Sequence, residues 1–242
     1  MIGLRPYRAG EPGGTGLPAV TGAAAGPARG GARLRSVAAV AAHCDDIAIG
    51  AGGTLLTICA SHPGIRVDAL VLSGGGTERE QEEAAALAAF CPGADLRLTV
   101  LKLPDGHLPA HWDEAKAAVE ELRARTDPDL LLAPHAGDAH QDHRGLARLV
   151  PTAFRDHLVL GYEIVKWDGD LGRPNAYQPL EPEVAEAKAA LLLEHYPSQH
   201  GRSWYDREVF LGLARIRGVE CHARYAEAFH VAKLTLDLTA GG

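Results

Sequence analysis

Two short stretches of this 242-residue chain concentrate histidine and aspartate. The first, AAHCDDIAIGAGGTL (41–55), holds His43, Asp45 and Asp46. The second, PHAGDAHQDH (134–143), holds His135, Asp138, His140, Asp142 and His143. Alone, each has an ordinary explanation: aspartates before a helix cap it and favour its positive end, and a loop rich in His and Asp is usually solvated. Together they supply a metal site. A catalytic zinc takes about three protein ligands, drawn from imidazole nitrogen and carboxylate oxygen, and keeps one position open for water. His43 and Asp46, with a histidine from the second stretch, make such a set. Tandem carboxylates allow one to bind metal while its neighbour stays free as a base. His140 and His143 are three residues apart and share a helical face, so one can bind metal while the other points at substrate. Asp142 can hold an imidazole N–H from behind.

The elements that must carry these residues are legible as an alternation. Apolar runs at 36–42, 66–73, 95–103, 129–135 and 157–165 read as strands. Between them, 47–60, 78–90, 113–126 and 142–156 read as helices, the last helical at least to Val150. Two further helices follow at 182–196 and 206–218, and 225–238 is expected to end in a strand. Such alternation predicts an α/β fold with a mostly parallel sheet covered on both faces. The purely apolar DLLLA at 129–133 fits a strand buried on both sides. Ligands of such sheets bind beyond the carboxyl ends of the strands. HCDD follows the first strand, and HAGDAHQDH follows the fourth. Residues 1–33, rich in Gly, Pro and Ala, read as a flexible arm, which leaves 34–242 as a single domain.

Composition narrows the function. With 46% hydrophobic residues the chain can bury a substantial core. A net charge of −7 disfavours nucleic-acid binding through phosphates. Cys44, Cys59, Cys91 and Cys221 include no CxxC pair, and reduced thiols in a cytoplasmic protein are the simpler reading. Neither a secretory signal nor a run of apolar residues long enough to span a membrane is found.

The paired motifs, their order and their spacing resemble the LmbE-like/PIG-L family of zinc-dependent de-N-acetylases. The family's His-Pro-Asp-Asp quartet stands here as His43-Cys44-Asp45-Asp46, and its His-x-Asp-His as His140-Gln141-Asp142-His143. The resemblance spans about residues 36–230 and implies a Rossmann-like three-layer fold. It further implies that His43, Asp46 and His143 bind zinc or another divalent transition metal. Asp45 would be the general base, His140 would stabilise the oxyanion or protonate the leaving amine, and Asp142 would orient His140. Arg79 and Asp105 would contact sugar hydroxyls, although Arg79 can equally pair with Glu82 or Glu83 on a helix surface. The loop YEIVKWDGDLGRPNAY (162–177) offers Lys166, Trp167 and Asp168, an aromatic beside charged groups that suits carbohydrate, and it resembles a loop in a subset of bacterial members. Packing of that loop on a second subunit, in a homo-oligomer, is the alternative.

The reaction implied is removal of an N-acetyl group from an amino sugar or a glycosylated small molecule. A same-family amidase acting on a thiol conjugate or another amide is the nearest rival. A nucleotide-binding protein is less well supported, because no G-x-G-x-x-G follows the first strand. A non-catalytic sugar-binding module would not need a base beside a metal site. Cys44 stands where the family has proline. It reads as a small buried replacement, with a thiol in the metal shell as the sharper alternative.

Overall fold

Strand β1, Ser36–Ala41, is apolar after its first residue and buried along its length. Its side chains divide between two cores. Val37, Ala39 and Ala41 join one cluster, and Ala38 and Val40 the other, as the two-residue period of a strand covered on both faces requires. The computed structural model describes residues 34–235; the arm expected at 1–33 lies outside them.

The chain then runs through α1 (Asp46–Ser61), β2 (Arg66–Ser73), α2 (Glu78–Phe90), β3 (Asp95–Leu103), α3 (Trp112–Arg125), β4 (Leu130–Pro134), α4 (Gln141–Ala153), β5 (Val159–Tyr162), β6 (Ala176–Leu180), α5 (Pro182–His195), α6 (Arg207–Glu220) and β7 (Tyr225–His230). The strands form one sheet in the order β3-β2-β1-β4-β5-β7-β6. The first five are parallel, and β7 runs antiparallel to both β5 and β6. One core, with Ile47, Leu55, Leu87, Phe90 and Leu192, lies under α1, α2 and α5. The other, with Val119, Leu122, Leu146 and Phe154, lies under α3 and α4. This is the expected three-layer α/β arrangement.

The differences from expectation have physical causes. β6 takes up the last two residues of the expected 162–177 loop, Ala176 and Tyr177, and runs on to Leu180 through Pro179. It is an edge strand, where a missing N–H costs no ladder bond on the open side. The last strand occupies the start of its segment, at Tyr225–His230. α4 continues through Pro151 and stops at Ala153.

Glycines let α1 lie close to the sheet. A Cβ on Gly50 would fall 2.3 Å from Cδ2 of Tyr162. That ring is fully buried, and its hydroxyl donates to the Val40 carbonyl at 2.7 Å. Gly50→Ala is therefore expected to destabilise the fold by roughly 1–3 kcal/mol through overpacking. Gly212→Ala, where nothing lies within 4 Å in α6, should be neutral or stabilising by up to about 1 kcal/mol. Chemical denaturation of the two variants checks both.

Candidate metal centre

β1 and β4 are neighbours in the sheet, in register from Val37 with Leu130 to Ala39 with Leu132. From β1 the chain moves outward to β2 on one side, and from β4 it moves outward to β5 on the other. The loops after these two strands diverge, which opens a crevice at the switch point. His43, Asp45 and Asp46 lie on one wall, and Asp138, His140, Asp142 and His143 on the other.

Three donors meet there. Nδ1 of His43 lies 3.1 Å from Nε2 of His143. Asp46 places Oδ2 3.5 Å from His43 Nδ1 and Oδ1 3.3 Å from His143 Nε2. Tetrahedral zinc with bonds near 2.0–2.1 Å separates its ligand atoms by about 3.3 Å. The three contacts are each close to that separation, with a different Asp46 oxygen facing each histidine. Among the described residues two groups bring one donor atom from each member within 4.8 Å of one another: His43, His140 and His143, and His43, Asp105 and Asp142.

Each histidine is held from behind. Nε2 of His43 faces Oδ2 of Asp142 at 3.2 Å and Oδ1 of Asp105 at 3.0 Å. Nδ1 of His143 lies 3.0 Å from Oδ2 of Asp138. The carboxylates leave the inward nitrogens, His43 Nδ1 and His143 Nε2, free to coordinate. Asp142 is fixed by the backbone N–H groups of Gly106 and Leu108 at 2.8 and 3.0 Å. Its carboxylate faces His43, while only its backbone N–H reaches His140. Asp46 is fixed by its Oδ2, which accepts the N–H groups of Ala42 and His43 at 3.1 and 2.9 Å.

Asp138 has a role that the motif pattern did not single out. It is buried, accepts the His140 N–H at 2.7 Å and pairs with Nζ of Lys166 at 3.0 Å. Burial opposes its ionisation, but His143, the His140 N–H and Lys166 bring its pKa down to about 2. It is a carboxylate at any working pH. The signal in the sequence was an aspartate in the same loop, five residues before His143. Asp138→Asn is expected to weaken zinc binding by about 10–100-fold, read by competition with a chromophoric chelator.

His140 caps α4, and its Nδ1 accepts the N–H of Asp142 at 3.2 Å. Burial, then the neighbouring His143 and His43, lower its pKa. A neutral ring that accepts at Nδ1 carries its proton on Nε2. His140 thus offers a donor beside the donor cluster.

Asp45 is buried beside Asp46 and turns its carboxylate toward Arg79. Its Oδ2 pairs with Nη2 of Arg79 at 2.8 Å. Burial pushes its pKa up to about 6, opposed by the Arg79 guanidinium and aided by the Asp46 charge. It is ionised at neutral pH, with a basicity close to the operating range of a general base. The Cys44 thiol points elsewhere: Sγ reaches the Ser73 carbonyl at 3.5 Å, packed where Gly74 leaves room. Burial, with Glu83 nearby, pushes that thiol upward. A protonated thiol facing a carbonyl is no metal ligand.

A family model described as PIG-L, GlcNAc-PI de-N-acetylase, matches residues 38–154. Over this stretch the chain is similar to that family. The stretch runs from β1 through α4 and contains every residue of the donor cluster. Several solved structures share the fold. N,N'-diacetylchitobiose deacetylase from Pyrococcus horikoshii is 20% identical with a TM-score of 0.62, over 82% of this chain and 84% of that one. The conserved protein TT1542 from Thermus thermophilus is 25% identical with a TM-score of 0.66, over 86% and 99%. GalB, a 4-carboxy-2-hydroxymuconate hydratase from Pseudomonas putida, is 18% identical with a TM-score of 0.67, over 85% and 100%. A deacetylase and a hydratase on one fold mean that the fold does not choose the reaction.

The residues expected to contact substrate fall at different depths around the crevice. Asp105 reaches His43 with a side chain that is 79% exposed. Arg79 lies deeper. Its Nη1 binds Oε2 of Glu82 and Oγ of Ser198 at 2.9 and 2.7 Å, and its Nη2 binds Asp45 and the Cys44 carbonyl. Lys166, Trp167 and Asp168 lie beyond the segment that the family model matches. Lys166 sits behind Asp138 and also pairs with Asp170 at 2.8 Å. Trp167 is 63% exposed, with the Arg202 guanidinium 5.6 Å from its ring centroid and its Nε1 on Oγ of Ser203. Asp168 is exposed on the adjoining turn.

Proposed function

We propose that this protein is a zinc-dependent amide hydrolase that removes the N-acetyl group of an amino sugar or of a small molecule bearing one. The observation that carries the reading is the division of labour around the donor cluster. His43, Asp46 and His143 turn donor atoms toward one another, while the Asp45 carboxylate beside them turns to Arg79 and is ionised at neutral pH. When bound, zinc acidifies a water and polarises the amide carbonyl. The chain's own groups do the rest. Asp45 takes the proton of the attacking water. His140, protonated on Nε2, donates to the carbonyl oxygen as it gains charge, and a proton passes to the departing nitrogen. Asp142 and Asp138 hold His43 and His143 in their coordinating tautomers. Asp105 and Trp167 line the approach, where a carbohydrate ring can meet both a hydrogen-bonding group and an aromatic face. The solved structure of a diacetylchitobiose deacetylase with this fold supports the substrate class. Among the described residues no helix is long and apolar enough to cross a membrane.

A panel of N-acetylated amino sugars, non-sugar amides and thiol conjugates tests the reading. Acetate and free amine should appear in equal amounts from an acetamido sugar, stop with a chelator and return with zinc. Cleavage confined to non-sugar amides would move the assignment to an amidase. Addition of water to an unsaturated acid without acetate release would move it to a hydratase.

A further inference from the structure

Asp45 is held in a way that its place in the chain does not require. It sits at the N-cap of α1, where a short polar side chain normally accepts a helix N–H, yet its side chain caps nothing. Its backbone has φ 98°, in the left-handed region that non-glycine residues seldom occupy. Strain of this kind persists only where the surroundings over-determine it, and it gathers at functional positions.

The surroundings are two side chains of α2. Arg79 and Glu83 are four residues apart and share a helical face. Glu83 accepts the Asp45 N–H on Oε2 at 2.8 Å, and Arg79 binds the Asp45 carboxylate at 2.8 Å. Arg79 also donates to the Cys44 carbonyl, so it spans the turn. Glu83 is completely buried; the same Oε2 accepts the Tyr196 hydroxyl at 2.7 Å, and Oε1 is without a hydrogen bond in the structure. A core position on α2 could be filled by leucine, as Leu87 fills the next turn. A wholly buried carboxylate costs folding free energy unless its partners need it, and its backbone partner is Asp45.

We propose that Glu83 and Arg79 are positioning residues for Asp45. Glu83 locks the left-handed backbone turn, and Arg79 aims the carboxylate at the attacking water. This rests on the reading of Asp45 as the general base. It assigns Arg79 to the base, where resemblance assigned it to sugar hydroxyls.

Crystal structures and kinetics of zinc-loaded variants, with N-acetylglucosamine as probe, test the proposal. In Glu83→Leu, Asp45 should leave the positive-φ region while zinc stays bound. Displacement of a catalytic group by about 1 Å costs about a hundredfold in rate, so kcat should fall by about that factor with KM nearly unchanged. Glu83→Gln keeps an acceptor for the Asp45 N–H and should recover most of the loss. In an Asp45→Asn background, Glu83→Leu should add nothing, because both changes remove one function. Arg79→Met, which spares the core if Glu83→Leu does not fold, should lower kcat and leave KM in place. Asp45 keeping its turn and position in the Glu83→Leu crystal would overturn the proposal. Losses that multiply in the double variant, or a rise confined to KM in Arg79→Met, would overturn it too. Full activity of Asp45→Asn would remove the general-base reading alone, and the crystal structures are read whether or not the probe turns over.

Discussion

Asp45→Asn is expected to lower turnover by roughly 10²–10⁴-fold, the usual contribution of a general base, while zinc remains bound. The substitution is a clean probe. Asparagine tolerates positive φ better than other residues, so the turn at φ 98° survives. The Asp45 N–H keeps its bond to Glu83, and the ligand Asp46 keeps its two backbone donors. What is lost is the basic oxygen, with the charge that Arg79 pairs with. On the proposed mechanism the same group is expected to set the acid limb of the wild-type profile. Protonated Asp45 cannot accept a proton, so the rate falls as pH drops through its pKa. That value is about 6 in the metal-free protein, and a nearby cation can only lower it, so the limb lies at or below pH 6. Rate measurements beside metal analysis check both statements.

His143→Ala is expected to abolish zinc binding, and activity with it. On the proposed reading the side chain supplies one of three donors, and a catalytic zinc left with two protein ligands should not be retained against dialysis. The loss should exceed the roughly 10–100-fold expected for the carboxylate behind it, Asp138. The deletion also leaves Asp46 and Asp138 facing each other across a vacated buried volume, each without its imidazole. Added zinc should not restore the rate. His140→Ala is the contrast: it should lower the rate and leave zinc in place, because His140 stands beside the His43–Asp46–His143 set.

Much of this was legible in the residues. The apolar runs of β1 and β4 carry no polar face, which pointed to a sheet covered on both sides; β3, with Asp95, Arg97 and Thr99 alternating with apolar residues, is the half-exposed edge. The two His/Asp stretches had to lie at strand ends, because each follows an apolar run directly. That they meet depended on β4 lying beside β1, which the sequence alone could not show. Side-chain direction was less legible. Asp142 was expected to hold His140, but a residue after the α4 cap points its carboxylate back across the crevice, to His43. Asp138 and Glu83 were missed as partners for another reason. A carboxylate in a polar loop and a glutamate in a glutamate-rich helix look like solvated groups until burial is known. β6 was hidden by Pro179, which an edge strand tolerates.

The most direct measurement is hydrolysis of an N-acetylated amino sugar by the zinc-loaded protein in oxygen-18 water. One solvent oxygen should appear in the released acetate, with an equal amount of free amine, and a chelator should stop both. Unlabelled acetate, or label entering the substrate with no acetate and no amine formed, would contradict the account.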